Sequence, residues 1–367
     1  MSALPYYGPS DIDALNTQAV TLLKLFGARG YAREEPSVLQ PAALFLDRSG
    51  EEIRRRTFTL TDPSGNDLAL RPDLTIPIAK RLVESVAALP ARISYNGMVF
   101  RHESKSGLPV QFFQAGVELF GEADKAKGDV EILSLSVEAL RAACLKDFTI
   151  RMGDLGLFGA LVDALTIPEH WRSRLKRHFW RAGYVETLLD RIGHGDETSR
   201  LPQDETEIAA LLEAQGDAPR AGRTRGEVIA RARAKAAEVL KLDGNVAGAI
   251  TRLLSISAPI EKALSDIRAL LKTAGIALEA ELAAVEARVA LLKSLGVERV
   301  EFNAHFGRSM EYYTGFVFEL RSLSGTELAG GGRYDNLLEL LGAPKPVTAV
   351  GCAIHTERLL ATIKGGA

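Results

Sequence analysis

The chain is poor in cysteine: Cys144 and Cys352 are its only two, far apart and without paired spacing. A disulfide framework and a cysteine-based zinc cluster are therefore excluded, and both thiols are expected to be buried. It lacks any apolar run of membrane-spanning length, and its N-terminus, MSALPYYGPSD, has no basic stretch ahead of an apolar one. No membrane segment and no leader are expected, which implies a cytoplasmic protein. Nor is there an excess of either charge. With 45 basic against 47 acidic residues, the formal net charge of -2 provides no basic field for sequence-independent nucleic-acid binding. The histidines, at 102, 170, 178, 194, 305 and 355, never fall at HExxH-like spacing, so no metal site is expected. GGGRYD fits neither GxxxxGK[ST] nor GxGxxG, and its glycines read as a tight turn or a close approach to a small ligand. What is present is a chain of 367 residues, 46% hydrophobic and 25% charged, enough to bury a sizeable core in two packed units.

The opening segment reads as a helix capped by Ser10 or Asp11, with Ile12, Leu15, Ala19, Leu22, Leu23 and Phe26 at helical spacing until Gly27 and Gly30. Thr57–Thr61, DPSGN and Leu68–Leu70 predict a β-hairpin over Arg56–Leu70. Ala91–Glu103 and Val110–Phe120 read as strands flanking the polar loop SKSGLP, Asp129–Leu145 as a helix, and Phe148–Met152 as a further strand. No βαβ rhythm is present, so an antiparallel α+β arrangement is expected. Between about Trp171 and Leu292 strand patterns vanish and Ala, Leu, Arg and Glu recur at helical spacing. We therefore divide the chain into a mixed core over 1–170, a helical insertion over 171–292 and a second part of the core over 293–367. Its arginine-rich stretches are expected to face water rather than nucleic acid. β character returns in VERVEFNAHFG, MEYYTGFVFELRSL and GTELAGGGRYDNLLELLG, then in KPVTAVGCAI before a terminal helix.

Four separated segments carry polar groups suited to a free amino acid: LRPDLT, FRHE through QFFQAGVELFG, GRSMEYYTGFVFE and GGGRYDNL. An α-ammonium needs a carboxylate and neutral acceptors, an α-carboxylate needs an arginine fork, and a polar side chain needs its own partner at the pocket floor. Asp73, Thr75, Arg101, Gln114, Glu118, Arg308, Tyr312, Tyr313 and Tyr334 are the candidates. Gln114 and Glu118, four apart on one strand, share a face. Tyr312 and Tyr313, read as neighbours on a strand, point to opposite faces, so one of the two reaches a given pocket floor.

These segments, in this order, resemble a histidyl-tRNA synthetase along most of the chain. The Pro36 and Pro41 region resembles motif 1 of a class II synthetase, Val99–Gly121 motif 2 and Ala349–Leu360 motif 3, and RSMEYYTG and GGGRYDNL look like the two histidine-specific signatures. The resemblance implies a class II synthetase-like antiparallel sheet flanked by helices. It further implies that Asp73, Thr75 and Gln114 hold the histidine amine, Glu118 and Tyr313 the imidazole, and Arg101 and Arg308 the carboxylate, with Tyr312 and Tyr334 lining the pocket. Pairing through Tyr31–Phe45 into a homodimer is also implied.

The departures carry as much information. The family's motif 2 loop has further arginines for ATP phosphates, whereas SKSGLPV offers Lys105 alone. Each lost contact removes roughly 1.5–3 kcal/mol. His355 stands where motif 3 has a glycine beside the nucleotide, and Asp73 is one methylene shorter than the usual glutamate. The chain ends at Ala367, soon after the motif 3 helix, where a tRNA-binding domain would be expected to follow. This combination resembles the branch of the family that regulates ATP phosphoribosyltransferase. That branch implies a non-catalytic protein without cofactor or tRNA, a short-form catalytic subunit as partner, L-histidine as regulatory ligand, and a homodimer within a larger hetero-oligomer. The competing expectations are a truncated enzyme that activates histidine or a related amino acid with ATP, and an interaction scaffold with a vestigial pocket.

Overall fold

The computed structural model describes residues 5–46, 51–85, 88–102, 109–165, 244–307 and 312–365, together with residues 167, 169–179, 183–185, 187–189, 226–227 and 229. Contacts divide the chain into two compact units. One comprises Met1–Leu157, Ile256–Ser265 and Leu278–Ala367, and the other Phe158–Ser255 and Asp266–Ala277.

The first unit begins with α1 (Pro9–Ala28), which buries Leu15, Gln18, Leu22 and Phe26. Gly8, not Ser10 or Asp11, is its N-cap, and no side chain caps it. Pro9 takes the first helical position because its missing N–H is one the helix could not satisfy internally. Short strands β1 (Ala32–Arg33) and β2 (Leu39–Pro41) precede helices α2 (Ala43–Leu46) and α3 (Glu51–Arg56). The expected hairpin forms as β3 (Phe58–Thr61) and β4 (Asp67–Leu70), paired from Phe58 with Leu70 to Thr61 with Asp67. Its turn is held by the Asp62 carboxylate, which accepts from the Ser64 and Asn66 N–H groups at 2.8 and 2.9 Å. With β2 these strands make a separate three-stranded sheet.

The chain continues through α4 (Thr75–Ser85), β5 (Ala91–Phe100), β6 (Gln111–Phe120), α5 (Lys125–Ala142) and β7 (Thr149–Asp154). Asp124 caps α5 by accepting from Lys127 N–H at 3.1 Å. Helices α6 (Leu155–Ala164), α7 (Glu169–His178) and α8 (Gly244–Ser255) follow, then β8 (Ser257–Pro259), α9 (Ile260–Ala274) and α10 (Glu279–Ser294). The last elements are β9 (Val300–Asn303), β10 (Phe316–Arg321), β11 (Glu327–Arg333), α11 (Leu337–Leu340), β12 (Ala349–His355) and α12 (Thr356–Lys364).

The principal sheet has nine strands in the order β1-β5-β6-β12-β11-β10-β7-β9-β8. It is antiparallel through its centre and parallel only where β1 meets β5 and β7 meets β9. Phe45, Leu74, Ile76, Ile78, Phe120 and Leu338 belong to the core packed around its site-bearing strands. Each such side chain contributes roughly 1.5–3 kcal/mol by burial.

The division lies elsewhere than at residues 171 and 292. β8 pairs with β9 at the sheet edge, and Arg288 of α10 bonds Asp129 of α5, so residues inside that span belong to the first unit. The second unit has its own core, in which Phe158 and Phe179 stack at 5.0 Å and Leu161, Leu175, Ile250 and Leu271 are buried. Among the described residues no helix is long and apolar enough to cross a membrane.

Candidate functional site

The middle of β6 forms the floor of a cavity. Gln114, Gly116 and Glu118 alternate onto one face. Gly116 lies opposite Tyr95 of β5 and Ala353 of β12, and Glu118 lies opposite Ile93 and Gly351. The glycines are a steric requirement. A Cβ on Gly351 would sit 1.7 Å from Glu118 Oε2, and one on Gly116 would sit 2.4 Å from the Tyr95 hydroxyl. Their absence of side chains lets a carboxylate and a phenol lie over the sheet.

Glu118, 1% exposed, accepts at Oε1 from the Thr75 hydroxyl at 2.5 Å and from Tyr95 at 3.3 Å, while the Tyr334 hydroxyl donates to Oε2. Burial pushes its carboxyl up to about 7, against the pull of the Thr75 and Tyr334 hydroxyls. Asp73 lies just before α4, and its Oδ1 accepts from Ile76 N–H at 3.1 Å, helping to cap that helix. Its Oδ2 is buried with no hydrogen-bond partner among the described residues. Burial lifts Asp73 to about 6, opposed by the Ile76 N–H and by Arg101. Arg101 donates through Nε to the Pro72 carbonyl at 2.7 Å and packs against the Phe112 ring at 5.3 Å. Burial first, and then Arg56, draw it down to about 10, which still leaves it cationic at neutral pH.

Eight of the nine candidates line this one cavity: Asp73, Thr75, Arg101, Gln114, Glu118, Tyr312, Tyr313 and Tyr334. The ninth, Arg308, and the loop cation Lys105 lie outside the described residues. The two tyrosines do not behave as strand neighbours. Antiparallel pairing of β10 with β7 starts at Phe316 opposite Asp154, where β7 ends, so Tyr312 and Tyr313 precede the ladder and escape its alternation. Their rings lie 4.9 Å apart, both pack near Tyr334, and both line the cavity. The cavity volume is about 30 Å³, room for little more than water. A larger groove of about 600 Å³ is lined by Arg29, Tyr31, Arg92 and Glu131. Its charges are already matched: Arg92 grips Glu131 by two bonds of 2.7 Å, and Arg29 meets Glu138 at 2.5 Å. The smaller cavity holds the unmet demand.

Beside it, Phe112 packs between Arg101 and His355, the latter with ring centroids 5.3 Å apart. The two charged residues that follow in the motif 3 helix are engaged by the protein. Glu357 accepts from Phe113 N–H at 2.8 Å and from the Tyr7 hydroxyl at 2.9 Å, and Arg358 lies 3.8 Å from Glu327. Sequence reasoning missed Tyr95 and Gly351. In RISYNG a tyrosine alternates with apolar residues and reads as core, and the need for glycine at 351 arises only from a partner strand.

Residues 6–242 and 208–359 match the family model described as histidyl-tRNA synthetase. A solved structure from Bacillus halodurans, described as an ATP phosphoribosyltransferase regulatory subunit/histidyl-tRNA synthetase, superposes with a TM-score of 0.72 at 24% identity, covering 98% of this chain and 81% of that one. The histidyl-tRNA synthetase of Nostoc sp. PCC 7120 superposes with a TM-score of 0.66 at 18% identity, covering 99% and 74%. The fold is thus that of the class II, histidyl-tRNA synthetase-like core. Among sequence relatives, the ATP phosphoribosyltransferase regulatory subunit of Chelativorans sp. (strain BNC1) is 35% identical over 95% of this chain and 97% of its own length. That of Allorhizobium ampelinum is 36% identical over 93% and 96%. The chain belongs to the family of ATP phosphoribosyltransferase regulatory subunits, in the histidine-biosynthetic branch of the synthetase-like proteins.

Proposed function

We propose that this protein binds L-histidine in the Glu118 cavity and conveys its presence to a short-form ATP phosphoribosyltransferase catalytic subunit, activating that subunit when empty and inhibiting it when occupied. The observation that carries this reading is the buried, unpartnered Oδ2 of Asp73 in the same cavity as cationic Arg101 and acceptor Glu118. An orphaned buried carboxylate oxygen is costly unless a cation completes it. A free α-amino acid supplies an ammonium for Asp73, with Thr75 and Gln114 beside it, and a carboxylate for Arg101, joined in this reading by Arg308. A neutral imidazole supplies one N–H, which suits Glu118, with Tyr313 at its other edge and Tyr312 and Tyr334 as walls. The cavity as it stands must widen for such a ligand, and Tyr312 and Tyr313 are walls not fixed by a strand ladder.

A regulatory rather than catalytic role is supported by the relatives' names and by the packing of His355 on Phe112 next to the amino-acid cavity. In this reading the protein is cytoplasmic, pairs through residues 31–45, and enters a larger assembly with the catalytic subunit without contacting tRNA. The test is co-purification with the cell's short-form catalytic subunit, followed by activity assays with and without histidine. The expected result is activation on assembly and inhibition by histidine through a coupling of roughly 1–3 kcal/mol, a five- to 150-fold effect. No association, or histidine inhibition unchanged by Arg101→Ala, would overturn it.

A further inference from the structure

We propose that Tyr95, which does not line the cavity, is a positioning residue for ligand recognition: its phenol turns the Glu118 carboxylate so that one acceptor position remains for a ligand N–H. This rests on the reading of the cavity as an amino-acid site. Tyr95 is buried on β5, and its ring reaches over Gly116, the residue opposite it on β6. A side chain at 116 would collide with the phenol, so the glycine and the tyrosine form one device. From there the hydroxyl donates to Glu118 Oε1 at 3.3 Å, on the same oxygen that takes the Thr75 bond, while Tyr334 occupies Oε2. An ionised carboxylate has about four lone-pair positions. Three hydroxyls fill three, and the fourth is on Oε2, the oxygen already nearest Gly351. Among the described residues, Glu118 is therefore left with a single acceptor position for a ligand. It suits an azole or other side chain with one N–H and disfavours an isosteric ring without one, whose presence would leave that position unpaired.

The groups facing Glu118 are Asp73, Thr75, Tyr95, Tyr312 and Tyr334, with Tyr31 further off. Of these, the three hydroxyls favour the ionised form and Asp73 opposes it. Removing one hydroxyl while keeping the ring raises the carboxyl further, and a protonated Glu118 carries an O–H donor on one oxygen and accepts more weakly at the other.

Tyr95→Phe keeps the packing, and its histidine affinity is measured by calorimetry beside that of Glu118→Gln, with thiazolylalanine, which has no ring N–H, as the control ligand. Tyr95→Phe is expected to weaken histidine about three- to tenfold near pH 7, more at pH 6.5 than at pH 8.5, and to change thiazolylalanine binding less than twofold. Equal losses for both ligands with no pH dependence would mean a packing role only and overturn the proposal. Should Glu118→Gln bind histidine like the parent, the cavity is not the histidine site and the functional reading fails first. The proposal is then decided on the ligand-free protein: the pH at which thermal stability changes should move upward in Tyr95→Phe, and an unmoved profile would refute it.

Discussion

The same unit buries two groups of carboxylates and treats them in opposite ways. In the first, Asp129 accepts from Arg288 at 2.9 Å and from Arg333 at 2.7 Å, Asp154 pairs with Arg288, and Asp335 meets Arg333 and Lys125, each at 2.8 Å. Three acids face three cations, and the Arg288 guanidinium also lies 4.4 Å over the Phe316 ring. In the second, among the described residues, Asp73 and Glu118 are satisfied only by hydroxyls and one backbone N–H, and one oxygen is left without a partner. The first cluster is closed electrostatically and joins α5, β7, α10 and β11. The second keeps a buried carboxylate oxygen open toward a cavity. Burial alone does not mark a functional acid; burial with an unmet charge does.

The contrast is broken most severely at Arg288. Arg288→Met leaves Asp154 without a cation and Asp129 with Arg333 alone, and breaking a buried pair costs about 3–5 kcal/mol. The expected outcome in denaturant titration is a loss of that size. Glu118→Gln should act on the other side of the comparison. Folding stability should be unchanged or raised, because a costly buried acid is removed, while histidine affinity falls about ten- to a hundredfold, or roughly 1.5–3 kcal/mol. A Glu118→Gln variant as unstable as Arg288→Met would erase the distinction between the two clusters.

The two groups also differ in how visible they are in sequence. Gln114 and Glu118 declare a shared face by spacing alone, whereas Asp73 and Thr75 were legible as polar groups of LRPDLT and through the family resemblance, without the helix start that positions them. The closed cluster was not, because Asp129 meets Arg288 and Arg333 across 159 and 204 residues, and no local pattern encodes such pairs. Tyr95 stayed hidden for a related reason, since its role depends on a glycine across the ladder. The aromatic β-like run EYYTGFVFEL misplaced Tyr312 and Tyr313, because strand propensity says nothing about where the partner β7 ends. That β5, β6, β10 and β12 exist was readable from their β-like runs, whereas the return of β8 and α10 to the first unit depends on edge pairing and a distant ion pair.

A pH titration sharpens the comparison with a smaller effect. Glu118 and Asp73 are raised to about 7 and about 6, mainly by burial, above unfolded-chain values near about 4. The folded chain therefore holds more protons than the unfolded one in that window, and the contribution of these groups to stability falls as pH rises through 6 and 7. The difference in melting temperature between the parent and an Asp73→Asn/Glu118→Gln double variant should move in the parent's favour as pH is lowered from 8 to 5. Histidine, as the proposed ligand, should reverse the sign. Its ammonium needs an ionised Asp73, so affinity should weaken on acidification below about pH 7, where the empty site takes up protons. A histidine affinity that is flat from pH 8 to 5.5 would remove both carboxylates from the binding reaction.

The smallest expected effect lies at the edge of the cavity, where His355 packs on Phe112. If this contact closes a neighbouring nucleotide-sized space, the parent should show no histidine-dependent ATP–pyrophosphate exchange, and His355→Gly should gain ATP binding without gaining exchange. The gain should be weak. Glycine restores space but no cation, and Glu357 and Arg358 are already engaged with Phe113, Tyr7 and Glu327. A dissociation constant of about a millimolar, corresponding to about -4 kcal/mol, is the expected scale. Tight ATP binding by the variant would make His355 the sole barrier to nucleotide, and exchange by the parent itself would return the protein to the enzymes. Binding by neither would place the barrier in the phosphate contacts, since an apolar space without charge-assisted partners cannot hold a polyanion.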